Sequence, residues 1–264
     1  MRPRGGVIGT ALAPSQSSAS GVWPMRAAEE YNRSSAWPNP DYYWNSVILY
    51  LSMEGTSFAD LSPRTKTITA YGNAATSTTQ AKMGQRSGSF TRSSGDRLVV
   101  SGSSAYSDFT YGTSDFTIET WLFLKSMPSS NTVPDYPGGY WIYGQGDQNA
   151  DYGIDFYVLN SRIVFNVSSY SNNNFYGNHG MTTNQWYHVA AVRSGTTITI
   201  YVNGSQVAQQ TGNSTAAATP NGNIVAIGSG EPAGATGANF DGYMDQYRVT
   251  KAARYSGNFV VPNY

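Results

Sequence analysis

The sequence predicts an all-β protein, a sandwich or barrel of short antiparallel strands, carried behind an extended N-terminal arm. Three observations predict it. After residue 45 the apolar residues alternate with a period near two, the spacing of a strand and not of a helix. Gly- and Asn-containing pairs interrupt those runs at hairpin spacing. The 264 residues contain no Cys, so a packed core must hold the fold, and a sandwich of roughly 200 residues is large enough to build one.

Residues 1–45 read as an arm. They hold Pro3, Pro14, Pro24, Pro38 and Pro40, a Ser-rich run from Ser15 to Ser20, and little periodicity. Arg2 to Ala13 imitates a secretion signal faintly, but Gly5, Gly6, Gly9 and Thr10 break its apolar stretch. Three of the six Trp lie here, Trp23, Trp37 and Trp44. An arm without a core of its own does not bury three indoles by itself. They either pack back on the following domain or anchor the arm on a partner chain, and the second reading is preferred.

Residues 46–264 read as one β domain. Val47, Leu49 and Leu51 alternate with Ile48, Tyr50 and Ser52, an opening strand apolar on both faces. Phe116, Ile118, Thr120, Leu122 and Leu124 share one side of a long strand, with Glu119, Trp121 and Phe123 on the other. Gly153–Leu159 and Arg162–Val167 flank a two-residue turn at Asn160-Ser161. Trp186–Arg193, Thr197–Val202 and Ser205–Gln209 are separated by Ser194-Gly195 and Asn203-Gly204, and Asn-Gly between alternating runs is the strongest short hairpin signal. Ile224–Ile227 and Tyr243–Val249 add two strands. No helix is predicted after residue 46, and no repeat of solenoid period occurs.

Composition excludes several functions. Sixteen basic residues balance sixteen acidic ones, and charged residues make up 12% of the chain, about half the usual ~25%. Without a basic stripe there is no electrostatic footprint for nucleic acid. No apolar run approaches the ~20 residues that span a membrane, so no membrane insertion is expected.

The motifs, taken in order, resemble the laminin-G-like, concanavalin-A-like jelly-roll family. They are Leu49-Tyr-Leu-Ser-Met-Glu-Gly55, Lys82-Met-Gly84 through Phe90, Asp115-Phe-Thr-Ile-Glu-Thr-Trp121 and Gln185-Trp-Tyr-His-Val-Ala-Ala-Val-Arg193. Ile200-Tyr-Val-Asn-Gly204, Phe240-Asp-Gly-Tyr-Met-Asp-Gln-Tyr-Arg248 and Ala253-Arg-Tyr-Ser-Gly-Asn-Phe259 complete the set. The resemblance covers roughly residues 46–264 and implies a two-sheet antiparallel jelly-roll sandwich. The closing Ala253–Phe259 motif, with Ala19-Ser-Gly-Val-Trp23 and Trp37-Pro38 in the arm, is similar to bacteriophage tail and capsid-appendage proteins. It implies a virion structural protein assembled in the host cytoplasm, its arm docked on other virion proteins.

Catalytic sets are sought and not found. Glycoside hydrolysis needs two carboxylates flanking a sugar bond, but the five Glu (Glu29, Glu30, Glu54, Glu119 and Glu231) are scattered. Glu119 is the one Glu in a well-defined strand, without an acidic residue two positions away. It reads as a sheet residue bonded to a neighbouring strand. His188 alternates within a strand and reads as packed. No Gly-x-Ser-x-Gly elbow occurs. The protein is therefore expected not to be an enzyme. Sugar binding without hydrolysis needs exposed rings and amides; Tyr136, Tyr140, Tyr176 and His179 are the candidate ligand contacts. The resemblance also implies a possible calcium ion at the sandwich rim, with Glu54 and Asp245 at the matching positions, and calcium needs six to eight oxygens. The expected function is a virion fibre, decoration or adhesion component, a homo-oligomer whose sandwich serves assembly or cell-surface glycan binding. A free-standing lectin is the alternative, and a divergent glycosidase comes third.

Overall fold

The computed structural model describes residues 41–102, 105–132, 138–147, 151–167, 175–217, 225–230 and 238–262. The chain divides into two units, Met1–Asn45 and Ser46–Tyr264. Of the first, residues 41–45 are described. The Asp41 carboxylate accepts the Tyr43 N–H and its carbonyl accepts the Trp44 N–H. Together they open a 3-10 turn, Trp44–Ser46, in which Trp44 is half-buried. Trp23 and Trp37 lie outside the described residues.

The second unit is a two-sheet antiparallel jelly-roll sandwich. Strands β1 (Val47–Leu51), β3 (Ala75–Ser77), β4 (Ser87–Phe90), β6 (Phe116–Leu124), β11 (Trp186–Ser194), β12 (Thr197–Val202), β13 (Ser205–Gln210) and β15 (Gly242–Thr250) form the first sheet. Its order is β13-β12-β11-β6-β15-β4-β3, with β1 also paired to β15. Strands β2 (Thr67–Tyr71), β5 (Arg97–Ser101), β7 (Tyr140–Asp147), β8 (Asp151–Val158), β9 (Arg162–Val167), β10 (Phe175–Asn178) and β14 (Val225–Ile227) form the second, ordered β10-β9-β8-β7-β14-β5-β2. Among the described residues, helix is confined to single turns such as Ala105–Asp108, and no helix is long and apolar enough to cross a membrane.

The core lies between the sheets and follows the alternation. Phe116, Ile118, Leu122 and Leu124 of β6 meet Ile154, Phe156 and Val158 of β8 and Ile163, Phe165 and Val167 of β9 in one buried cluster. Burying such side chains contributes roughly 1.5–3 kcal/mol each. The turns do as their residues dictate. Asn203 and Gly204 both take positive φ (49° and 75°), the two-residue turn whose twist suits a hairpin. The preceding turn sits one residue later than expected, at Gly195-Thr196, because Ser194 pairs with Thr197.

Strand β15 is less regular than its sequence. Asp245 pairs with Trp121 and Arg248 with Glu119, three steps on β15 against two on β6. The extra residue makes a bulge, and Gln246 there adopts φ 50°. Strict alternation from Met244 would turn Tyr247 outward and Arg248 into the core. The bulge instead keeps Met244, Tyr247 and Val249 in the core and sends Arg248 to the outer face with Glu119.

Candidate functional site

Two polar constellations stand out, one sealed and one open. The sealed one centres on Glu119, in the middle of the first sheet's outer face. Its Oε2 accepts the Tyr255 hydroxyl at 2.7 Å and lies 3.3 Å from His188 Nε2; Oε1 is bonded by Arg254 Nη1 and lies 3.8 Å from Arg248 Nε. Glu119, His188 and Arg248 are 1, 2 and 1% exposed. Burial alone would raise the Glu119 pKa. The His188 bond, the charges of Arg254 and His188 and the Tyr255 bond outweigh it and bring the group from 4.5 to about 2. The neighbouring strand positions grip the segment after β15. Thr117 Oγ1 donates to Ala252 O and accepts the Arg254 N–H. Tyr255 stacks on Phe259 at 3.5 Å, and Tyr201 closes against both rings. Phe259 N–H donates to Gly204 O, and Asn258 Oδ1 accepts the Gln206 N–H. Residues 251–259 therefore form a strap across the sheet, and Glu119 is its buckle. The expectation that Glu119 bonds a neighbouring strand is met, with the strap as an additional partner.

The expected calcium ligands do come together, at the opposite side of β15. Asp245 is fully buried, with Oδ2 accepting the Lys82 and Met83 N–H groups (2.9 and 3.0 Å) and Oδ1 accepting that of Gln246 (2.8 Å). Glu54 accepts the N–H groups of Gln85 and Arg86. Between them Gly84 turns with φ 59°, and a Cβ there would strike the Glu54 carboxylate. Burial pushes Asp245 up to about 6 against the three backbone N–H groups, and Glu54 adds to the rise. These oxygens face amide hydrogens, which a cation would repel, so the residues do not fit calcium. Among the described residues no group of three or more His, Asp or Glu could hold a metal. Glu54 and Asp245 instead clamp the Lys82–Arg86 loop.

The open constellation lies on the second sheet's outer face, at the end where β8 turns into β9. Tyr176 of edge strand β10 is 41% exposed, and the Arg162 guanidinium of β9 lies over one ring face at 4.4 Å. Arg162 pairs with Asn178 in register. Its Nη1 donates to Asn131 O at 3.0 Å, and Asn131 Oδ1 accepts the Ser161 N–H at 2.8 Å. The Asn160 N–H donates to Ser130 O, so residues 130–131 are stapled to the hairpin tip. Asn131, Asn160, Ser161 and Asn178 are exposed. A partly exposed ring, a cation and several amides thus share one corner.

The other expected contacts divide. His179 sits at this corner but is buried. Its Nε2 lies 3.0 Å from Leu159 O and its Nδ1 accepts the Met181 N–H at 2.8 Å. Burial lowers its pKa; with both ring nitrogens engaged by backbone groups it pins the turn after β10 and does not present itself to a ligand. Tyr140 faces inward instead of outward, 5% exposed, with its hydroxyl 2.6 Å from Ser126 Oγ; the strand begins at Tyr140, which turns the ring into the core. Tyr136 lies outside the described residues. Arg162 was missed because nothing in Arg162–Val167 says which cross-strand ring its side chain will meet.

A family model for the concanavalin A-like lectin/glucanases superfamily matches residues 99–256. No curated protein matches the chain. Among solved structures, the binding domain of Paraclostridial mosquitocidal protein 1 is similar at 14% identity and TM-score 0.61, covering 81% of this chain and 50% of that one. The receptor-binding domain of a botulinum neurotoxin C/D mosaic serotype gives 13% identity, TM-score 0.58, and coverage of 80% and 49%. The botulinum serotype D ligand-binding domain, solved in complex with N-acetylneuraminic acid, gives 14%, 0.55, 80% and 48%. This chain therefore spans about half the length of these structures, and the likeness is one of fold.

Proposed function

The chain belongs to the concanavalin A-like lectin/glucanases superfamily, and from that premise we propose that it is a non-enzymatic glycan-binding module of a bacteriophage particle. The observation that carries the binding is the open corner of Tyr176, Arg162, Asn131, Asn160 and Asn178. Carbohydrate is held by a flat apolar ring face for its C–H groups and by directional donors and acceptors for its hydroxyls. The corner offers both, with Tyr176, Arg162 and Asn178 on paired strands and Asn131 and Asn160 on the adjoining loop and turn, and the Arg162 guanidinium covering one face of Tyr176 fixes the orientation of the other. The neurotoxin domains of like fold include one solved with N-acetylneuraminic acid, which supports a sugar as the ligand class. The absence of catalysis is supported by the sealing of Glu119 beneath the strap.

A glycan array probed with the whole protein tests the reading. Binding to a defined subset of glycans is expected, reduced about tenfold or more by Tyr176→Ala or Arg162→Ala, with little change in melting temperature because Tyr176 is exposed and Arg162 only half-buried. No binding, or binding that neither substitution weakens, would refute the site.

The setting on a virion rests on the arm. Trp23, Trp37 and Trp44 between Pro- and Ser-rich stretches supply apolar anchors of the kind that dock on a partner, and the arm's motifs are similar to those of phage appendages. Removal of residues 1–45 is expected to abolish incorporation into particles, read by immunoblot of purified virions, while glycan binding persists. Incorporation of the shortened chain would sink this part of the proposal.

A further inference from the structure

Arg162 carries a charge that the chain itself leaves unanswered. Elsewhere cations are matched to carboxylates: Arg64 and Lys66 meet Asp108, and Arg248 and Arg254 meet Glu119. Arg162 is half-buried, and its guanidinium has two partners, the Tyr176 ring at 4.4 Å and the Asn131 carbonyl at 3.0 Å from Nη1. Among the described residues no carboxylate comes within ion-pair reach of it. One of its five N–H donors is therefore used; Nε–H and the Nη2 pair are not. The surroundings are short of negative charge as well. Residues 126–132, 159–165 and 175–182, which build the corner, contain no Asp or Glu. Neither does β13, whose Val207 backbone lies close to Gly177 of β10. Asn131 Oδ1 is occupied by the Ser161 N–H, which leaves its Nδ2 to donate.

We propose that the corner selects sugars bearing a carboxylate, and that Arg162 is the residue that recognises the acid; this rests on the reading of the corner as the glycan site. A carboxylate is planar and presents two oxygens to two parallel N–H groups of a guanidinium, and such charge-assisted bonds are roughly twice as strong as neutral ones. With Nη1 given to Asn131, the edge formed by Nε and Nη2 is the one left for that fork. The stack on Tyr176 and the bond to Asn131 already hold the guanidinium, so less side-chain freedom is lost when a ligand docks. A sugar hydroxyl donates as well as accepts, whereas a carboxylate only accepts. That matches a corner whose charge is positive and whose unspent groups around Arg162 are donors. Uronic and sialic acids share this chemistry, and Tyr176 stands beside the fork to meet the C–H groups of either.

The test is a calorimetric titration of the whole protein with two acidic probes, an oligogalacturonate and an oligosaccharide ending in N-acetylneuraminic acid. Each is compared with its own carboxyl-reduced form, which keeps the sugar and replaces the acid by an alcohol. The parent is expected to bind at least one acid about tenfold or more tightly than the reduced form, and the acid preferred names the source. Arg162→Gln should bring the acid down to the affinity of the reduced form and leave the reduced form within about threefold of its parent value. Arg162→Lys, which keeps the charge and loses the fork, should retain a preference of only a few-fold. Tyr176→Ala should weaken both forms alike. Equal binding of acid and reduced forms by the parent, both weakened by Tyr176→Ala, would overturn the selection of acids and leave the glycan site standing. A preference that survives Arg162→Gln would overturn it too, by assigning the acid to another cation. Binding to neutral glycans alone would have the same meaning, and binding to no glycan at all would remove both readings.

Discussion

Glu119→Ala is expected to destabilise the sandwich by about 3–5 kcal/mol, the usual cost of removing one partner from a buried charge cluster. For a domain of this size that lowers the melting temperature by about 10 °C. The reason is what the substitution leaves behind. His188, Arg248 and Arg254 would lose the buried carboxylate they share, and the Tyr255 hydroxyl would lose its bond to it. The same group gives the protein an acid-sensitive element. In the folded state its pKa falls from 4.5 to about 2, so its contribution is complete above about pH 4.5 and is lost as pH falls toward 2. A shift of that size corresponds to about 3 kcal/mol. Asp245, pushed up to about 6, works in the opposite sense, its contribution declining as pH rises from about 4 through 6. Urea unfolding of the parent and of Glu119→Gln between pH 2.5 and 5 checks this. The parent should gain stability across the window and the variant should lose most of that dependence. Parallel slopes would show that Glu119 is not the titrating group.

Gly204→Ala is the second substitution with a large expected effect, a loss of about 3 kcal/mol. Two costs combine. An L-residue at φ 75° pays roughly 1–2 kcal/mol, and the added methyl would strike the carbonyl of Phe259, an overpacking cost of about 1–3 kcal/mol. The second cost belongs to the strap and the first does not. Removing residues 257–264 should therefore reduce the penalty of Gly204→Ala to about 1–2 kcal/mol, although the truncation is itself destabilising. A double-mutant cycle by urea unfolding measures the difference. Strict additivity would mean that Phe259 does not rest on the Gly204 turn.

The strands that could be read from the sequence are those whose signals are local. In β6 the alternation of Phe116, Ile118, Leu122 and Leu124 with Glu119, Trp121 and Phe123 places each side chain on the face it occupies. The turns at Asn160-Ser161 and Asn203-Gly204 are set by residues adjacent in sequence. What could not be read depends on distant partners. Tyr243–Val249 gives no sign of the bulge, because Gln246 is held out of register by its bonds with Tyr50 and Ser52, almost two hundred residues away. Glu119 could be placed on a strand, but its partners come from β11, β15 and the strap. Other residues of the family motifs hold the turns and loops around it. Asp115 caps the Gly195 N–H, Thr117 holds the strap, and Trp121 carries the Lys82 ammonium at 4.2 Å. For the candidate site, Tyr176 could be found because a polar loop advertises an aromatic ring. Tyr140 could not be told from it, because only the start of β7 decides which way the ring turns.

Strand β15, the last of the described strands in chain order, lies inside the first sheet, paired to β6 along one side and to β4 and β1 along the other. A chain emerging from the ribosome therefore carries β1 and β6 with open edges until residue 250 has appeared. The first sheet cannot zip up from its N-terminus as synthesis proceeds. Closure is deferred until β15 has been made and depends on contacts that bridge most of the domain, the kind of topology that folds in milliseconds to seconds. During that interval the nascent chain exposes the unpaired edges that aggregate, and shortening it from the carboxyl end would make that exposure permanent.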